Sequence, residues 1–165
     1  MKVGQIVRAA GSPAVSYGVE TVGMADTHLN RVRSAIARAA APAGSGKSFD
    51  AILWAYDGTS GTLDPAFDAH VLPLSYWATA WWQRWRPAGA LSEALKKAQR
   101  KLSGPNRTMW ARVTGPTTAV VATARRLGWA FITPSKIKTD LVRILDLQLD
   151  PPIVVEWEAK AAVRR

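Results

Sequence analysis

Residues 25–41, ADTHLNRVRSAIARAAA, set a pattern that most of the chain repeats. Leu29, Val32, Ile36, Ala39 and Ala40 recur at three- and four-residue steps, which places them on one stripe of a helix. Arg31, Ser34 and Arg38 fall on the opposite side, with Arg33 on the flank. Asp26 or Thr27 is suited to accept from the first free backbone N–H groups, and Pro42 to end the helix. A solvated basic helix satisfies this pattern by itself; a helix that meets nucleic acid needs support from elsewhere in the chain. Upstream, residues 13–24 are small and mostly apolar, with Gly11, Gly18 and Gly23 spaced along the approach and Tyr17 and Glu20 between them.

Composition supplies part of that support. Lys and Arg number 22 against 12 Asp and Glu, a formal charge of +10 over 165 residues. Such an excess concentrates polyanions nearby; nucleic acid is the first partner class it suggests and an anionic membrane surface the second. At this length about 70% of the extended chain's surface is buried on folding, so one ordinary core is possible without a covalent staple. Cysteine is absent, which excludes a disulfide framework, a thiol nucleophile and cysteine-bearing metal sites. No run approaches the roughly 18 apolar residues of a membrane span, and residues 1–18 lack the apolar centre of a signal peptide. The expected location is intracellular, nuclear or cytoplasmic.

Taken in order, Val3, Ile6, Val7 and Ala10 form a short helical stripe that Gly11 and Pro13 interrupt. Residues 42–50 read as a linker. Their Gly46-Lys47-Ser48 ending imitates a phosphate-binding loop, but Ala41 stands where that pattern wants its first glycine and no βαβ unit surrounds it. Residues 51–56 are an apolar patch before a Gly/Thr/Ser turn. Asp64-Pro65 then reads as an N-cap with proline at the first helical position, and Pro73 is expected to reset the helix. Leu74, Trp77, Ala78, Trp81, Trp82 and Trp85 follow at helical steps, with Arg84 and Arg86 at the end. That indole face suits a bulky core, base stacking or a membrane-surface helix.

Residues 91–103 make a second basic helix. Leu91, Leu95, Ala98 and Leu102 line one side, with Lys96, Lys97, Arg100 and Lys101 beside them; the positive charge continues to Arg107. Gly115-Pro116 opens another, with Val120, Ala124 and Leu127 inward, Arg125 and Arg126 lateral and Gly128 placed just past its end. Trp129–Ile132 reads as a strand or extended loop. Residues 134–149 read as helix, with Ile137, Leu141, Ile144 and Leu145 inward, although Leu147–Leu149 alternates. Asp150-Pro151-Pro152 starts a last helix, with Glu156 and Glu158 early and Arg164 and Arg165 late. The fold class is therefore mostly α: an irregular multi-helix bundle whose helices are punctuated by Pro and Gly, with short extended pieces at most. Residues 1–165 read as a single helical segment, and its uncapped ends suggest a fragment of a longer protein.

Catalytic patterns are sparse. Asp50, Asp57, Asp64 and Asp68 with His70 are the one acidic cluster to test for metal or hydrolytic chemistry, yet Asp64 is explained as a cap and Asp50 and Asp57 as turn residues bordering the apolar patch. His28 and His70 have no partner at metalloprotease spacing, and there is neither a Gly-x-Ser-x-Gly elbow nor an adjacent pair of aspartates. No catalytic residue, metal ligand or cofactor is assigned.

One resemblance covers nearly the whole chain. It rests on Pro13-Ala14, Tyr17-Gly18 and Gly23, then Leu29 and the Arg-bearing helix, Pro42, Gly46-Lys47-Ser48 and Asp64-Pro65-Ala66. It continues through Trp77-Ala78 with Trp81, Gly115-Pro116, Leu127-Gly128-Trp129 and Pro151-Pro152. In this order the pieces resemble the region after the polymerase domain in reverse-transcriptase-like proteins of non-LTR retrotransposons, of the dinoflagellate type. The resemblance implies a helical thumb or connection segment that grips template–primer duplex or RNA. It also implies a separate palm domain upstream and an RNase H-like domain beyond, while the palm's metal-binding aspartates have no counterpart here. The residues expected to contact nucleic acid are Arg31, Arg33, Arg38, Lys96, Lys97, Arg100, Lys101, Arg107, Arg125 and Arg126. The alternative is a basic, Trp-rich helical module that binds a membrane surface or a protein partner.

Overall fold

The computed structural model describes residues 12–41, 48–57, 63–105 and 108–165, and it is mostly helical. In chain order the helices are α1 (Ser12–Ser16), α2 (Val19–Val22), α3 (Asp26–Ala40), α4 (Phe49–Asp57), α5 (Pro65–Trp82) and α6 (Ala88–Lys101). A 3-10 turn at Trp110–Arg112 precedes α7 (Pro116–Arg126), and α8 (Pro152–Arg164) closes the series. Between α7 and α8 lies a small antiparallel sheet of β1 (Ala130–Thr133), β2 (Lys136–Lys138) and β3 (Ile144–Asp146), in the order β1-β2-β3. The described residues group into two compact units. One holds residues 12–17, 24–41, 48–57 and 63–69; the other holds 18–23, 70–105 and 108–165.

In the first unit, α3 and α4 pack through Ile36, Ala37 and Leu53, with Leu63 and the half-buried Val32, Phe49 and Ile52. The apolar patch at 51–56 is thus part of a helix, because Phe49, Ile52 and Leu53 recur at three- and four-residue steps. The α3 stripe differs at its end: Ala37 is buried and Ala39 exposed. Its first turn differs too. Ala25 is the N-cap, with no side-chain cap bond, and Asp26 sits inside the helix, where its charge complements the dipole. Of the expected 42–50 linker, Phe49 and Asp50 open α4, and residues 42–47 lie outside the described residues, as does the stripe from Val3 to Ala10.

The second unit is built around α7, in which Thr118 to Ala124 are all buried. None of these side chains is larger than valine, so neighbouring backbones can approach closely. Both α2 and α6 pack on this helix. Gly23, at φ +66, shows how close: an added Cβ would lie 2.6 Å from the Trp110 ring and 3.5 Å from Ala119 Cβ. Thr118 organises the helix start, its Oγ1 accepting from the Thr114 and Gly115 N–H groups and donating to the Gly115 carbonyl. At the far end Gly128 adopts φ +71, and the N–H groups of Gly128 and Trp129 return to the Arg125 and Ala124 carbonyls. That is a Schellman ending, and the sequence reading anticipated its glycine.

Leu74, Trp77, Ala78 and Trp81 of α5, Leu91, Leu95 and Ala98 of α6, and Val155 and Ala159 of α8 share this core. Pro73 does not reset the helix; α5 runs unbroken over 18 residues with Pro73 inside it. An internal proline costs about 3 kcal/mol. Full burial of a large apolar side chain contributes roughly 1.5–3 kcal/mol, so the buried Phe67, Val71 and Leu74 of the same helix together outweigh that cost.

The expected helix over 134–149 is also corrected. Residues 136–138 and 144–146 are strands, with Phe131 paired to Ile137 and Ile137 to Leu145. Burial here follows the two-residue period of a strand: Ile137 and Thr139 are buried, then Leu145 and Leu147. Leu141 and Ile144, placed inward by helical spacing, are 62% and 55% exposed. The hairpin closes where the Thr139 N–H donates to the Arg143 carbonyl and the Val142 N–H to the Thr139 carbonyl, which holds Val142 at φ +67. Nearby, Asp140 accepts from the Trp129 indole N–H and from the Arg165 guanidinium. Arg143 pairs with Glu158 of α8.

Val142 is β-branched, largely exposed and left-handed, a conformation that costs an L-residue about 1–2 kcal/mol. Val142→Gly is therefore expected to stabilise the fold by about 1 kcal/mol, read as a higher urea midpoint with an unchanged slope. Asp140 offers a pH readout. Partial desolvation works against its charge, but the hydrogen bonds from Arg165 and Trp129 outweigh this and hold the carboxyl below its ordinary value. A depressed carboxyl stabilises the fold above its unfolded pKa and loses that contribution as pH falls through the folded one. Asp140→Asn should therefore lower stability at neutral pH and have little effect well below the ordinary carboxylate range, as measured by urea unfolding at both values.

Candidate functional site

A cation strengthens binding to a polyanion when its charge faces solvent and internal acceptors have not already claimed it. Of the ten cations singled out from the sequence, the nine among the described residues separate on that criterion. On α6 the apolar residues Leu91, Leu95, Ala98 and Leu102 are buried, while Lys96, Lys97, Arg100 and Lys101 are exposed on the other side. At 1.5 Å of rise per residue these four span about 8 Å of helix. Glu93 lies 4.0 Å from Lys97 Nζ and 3.5 Å from Arg100 Nη2. Exposed pairs of this kind are worth about 0–1 kcal/mol, so they leave the charges available. Lys101 Nζ donates to Thr114 Oγ1 at 2.6 Å, and Lys96 has no partner among the described residues. Lys96, Arg100, Gln99, Ser103 and Glu93 border a shallow concavity of about 690 Å³.

Arg31 and Arg38 are exposed on α3, two turns apart, without an ion pair among the described residues. Arg33 is different. Its Nε and Nη2 donate to the two carboxylate oxygens of Asp64 at 2.8 and 2.7 Å, and its Nη1 pairs with Asp50 at 2.8 Å. The guanidinium also lies 5.5 Å from the centre of the Phe49 ring. Burial opposes its charge, but Asp64 and then Asp50 more than compensate, so its pKa rises above the ordinary arginine value.

The same network takes up three of the four aspartates of the acidic cluster. Asp64 Oδ1 accepts from the Ala66 N–H as the expected cap of α5, and Asp57 Oδ2 accepts from the Asp64 N–H. Asp50, Asp57, Asp64 and Arg33 therefore join α3, α4 and the start of α5 within the first unit. Among the described residues no three His, Cys, Asp or Glu side chains stand close enough to hold a metal ion.

Arg125 and Arg126 are half-buried as well. Arg125 Nη1 donates to the Leu102 carbonyl at 2.7 Å, at the C-terminal end of α6, and Arg126 stacks 4.1 Å above the Trp110 ring. Arg112, absent from the sequence-level set, donates to the Lys101 and Ser103 carbonyls at 3.3 and 2.6 Å. Arg112 and Arg125 thus satisfy carbonyls that the helix end leaves free, where a cation also complements the dipole. Arg107 lies outside the described residues.

The helical spacing of 74–86 placed most of the indoles on one broad face, and the structure divides them. Trp77 and Trp81 are 4% and 5% exposed, while Trp82 and Trp85 are 43% and 46% exposed. The division arises where α5 ends. The Trp85 N–H returns to the Ala80 carbonyl and the Arg84 N–H to that of Trp81, with Arg84 at φ +53 in the position that glycine usually fills. Trp85 is held edge-on against Tyr76, ring centres 5.0 Å apart, and its Nε1 donates to Gln83 Oε1 at 2.8 Å. Trp82, Trp85, Arg84 and Arg86 line a half-open cleft of about 710 Å³, bounded also by Trp81 and Gln148. The density of Trp and Arg in residues 81–86 was the signal for this cleft; which indoles stay outside the core depends on where α5 turns.

No protein-family model, curated protein or solved structure matches this chain.

The division among the arginines has a direct test in stability. Asp64→Ala removes a helix cap, worth about 0.5–2 kcal/mol, and leaves Arg33 half-buried without its main acceptor. It is expected to cost about 2–3 kcal/mol in urea unfolding. Arg31→Ala, on an exposed face of the same helix, should change stability by less than about 0.5 kcal/mol.

Proposed function

We propose that this chain is a nucleic-acid-binding helical segment, comparable to the thumb or connection region behind the polymerase domain of retrotransposon reverse transcriptases. In this reading it holds template–primer duplex or RNA through phosphates, and the polymerase chemistry belongs to a separate palm domain. The observation that carries the proposal is the outward face of α6, where Lys96, Lys97, Arg100 and Lys101 stand exposed within six residues. Arg31 and Arg38 on α3 supply further free charge. The net charge of +10 adds long-range attraction that needs no base recognition. Arg33, Arg125 and Arg126 leave the binding set, because acceptors or a ring inside the fold already hold them.

The membrane-surface alternative relied on a broad indole face. Trp77 and Trp81 of that face lie in the core, which leaves only Trp82 and Trp85 of it half-exposed. A phosphate-contacting face is therefore the better supported reading.

Each phosphate contact releases counterions, so the logarithm of affinity should fall linearly with that of salt, with a slope of about −0.9 per contact on duplex DNA. Changing Lys96, Lys97, Arg100 and Lys101 together to Gln should weaken binding to all sequences alike. It should also flatten that slope by about one for each phosphate that no longer meets a cation. Fluorescence anisotropy on a labelled RNA–DNA hybrid over a salt series provides the measurement. Affinity that stays constant across the series would overturn the proposal.

A further inference from the structure

The phosphate-binding reading above makes no use of the cleft at the end of α5, yet the chemistry of this cleft is distinctive. Two half-exposed indoles stand beside two arginines, and no acidic side chain lines the cleft. Neither Arg84 nor Arg86 has a side-chain partner among the described residues, in contrast to Arg33, Arg112 and Arg125 in the same protein. Gln148 adds an amide, with both a donor and an acceptor, at the border. A volume of about 710 Å³ is within the range of small-molecule sites, roughly 300–1,000 Å³.

Three features indicate that the platform is positioned before any ligand arrives. Trp85 is fixed by its edge contact with Tyr76 and by its hydrogen bond to Gln83. Trp82 is the last residue of α5, so the helix sets the position of its backbone. Arg84 occupies a left-handed position that glycine would fill with less strain. A strained arginine where glycine is cheaper is the kind of local cost that persists at functional positions.

We propose that this cleft binds an unpaired nucleobase of a single-stranded nucleic acid. The base stacks on the Trp82 and Trp85 indoles, and the guanidinium groups of Arg84 and Arg86 meet the flanking phosphates. Stacking tolerates any base, since every base has a π-face, and the Gln148 amide can meet the base edge. A duplex keeps its bases stacked inside and cannot use such a cleft without unpairing. The cleft therefore adds a preference for single strands to the phosphate-binding function proposed above, on which this inference rests.

The test uses the full chain with two labelled probes, an oligothymidylate decamer and a mixed-sequence duplex, in fluorescence anisotropy at fixed salt. Replacing Trp82 and Trp85 together with Leu should weaken decamer binding about five- to 150-fold for each base that no longer stacks. Duplex binding should change by less than about twofold, because phosphate contacts dominate there. Arg84→Gly guards against misfolding: it should raise the thermal midpoint while weakening decamer binding. Unchanged decamer affinity in both variants would overturn the cleft proposal, even where salt-dependent duplex binding upholds the phosphate-binding reading. If the unaltered chain binds neither probe, both proposals fall. An indole emission shift that occurs with phosphatidylserine vesicles, vanishes in the Trp82/Trp85 variant and never occurs with the decamer would assign the cleft to a lipid surface instead.

Discussion

The enclosure of α7 is the constraint on which the second unit depends. A helix buried from Thr118 to Ala124 has to place every side chain against protein, and it does so with Ala, Val and Thr alone. Small side chains bring neighbouring backbones close, and close backbones leave little room for error. Gly23 is therefore set against Trp110 and Ala119 with no space for a Cβ. The ends of α7 are correspondingly well made, with Thr118 tying down the start and Gly128 turning the exit. Helices α5, α6 and α8 and the sheet then contribute their larger side chains to the same core.

Enclosing small helices also creates demand for hydrogen-bond donors at helix ends, and arginine meets much of it. Arg112 and Arg125 reach the last carbonyls of α6, while Arg33 joins Asp50 and Asp64 in the first unit. A guanidinium can do this because its five N–H groups fan out in a plane and its stem lies along apolar surface. Several of the chain's arginines are thus structural. In the reading proposed above, the charge that would meet an external polyanion is that of α6, of Arg31 and Arg38 of α3, and of the turn holding Arg84 and Arg86.

The tryptophans are divided in a similar way. Trp77 and Trp81 meet edge to face, 6.4 Å between ring centres, inside the core, while Trp82, the next residue, and Trp85, one turn on, stay half-exposed. A helix that ended in glycine at position 84 would cost less strain. Arginine there sets a cation on the same cleft as two half-exposed indoles, which links the helix ending to the chemistry available at the surface.

Sequence alone determined the elements whose signals are local and chemically strong. The amphipathic stripes of α3 and α6, the Asp64-Pro65 and Gly115-Pro116 starts, and the Gly128 exit were all legible, because caps and three- and four-residue spacing act within a few residues. Tertiary structure decided the rest. Pro73 stays inside a helix because burial of its neighbours outweighs a local cost of about 3 kcal/mol. Residues 134–149 form a hairpin because three-residue strands carry too few side chains for their alternation to outweigh a chance helical spacing; pairing across the sheet settles the matter. Among the cations, Arg31 and Arg33 are two residues apart and alike in sequence. Among the described residues Arg31 has no ion pair and Arg33 is held, because Asp64, 31 positions beyond Arg33, reaches it only once the chain has folded back. Long-range partners of that kind leave no periodic trace, so only the fold separates charges that support it from charges free to bind.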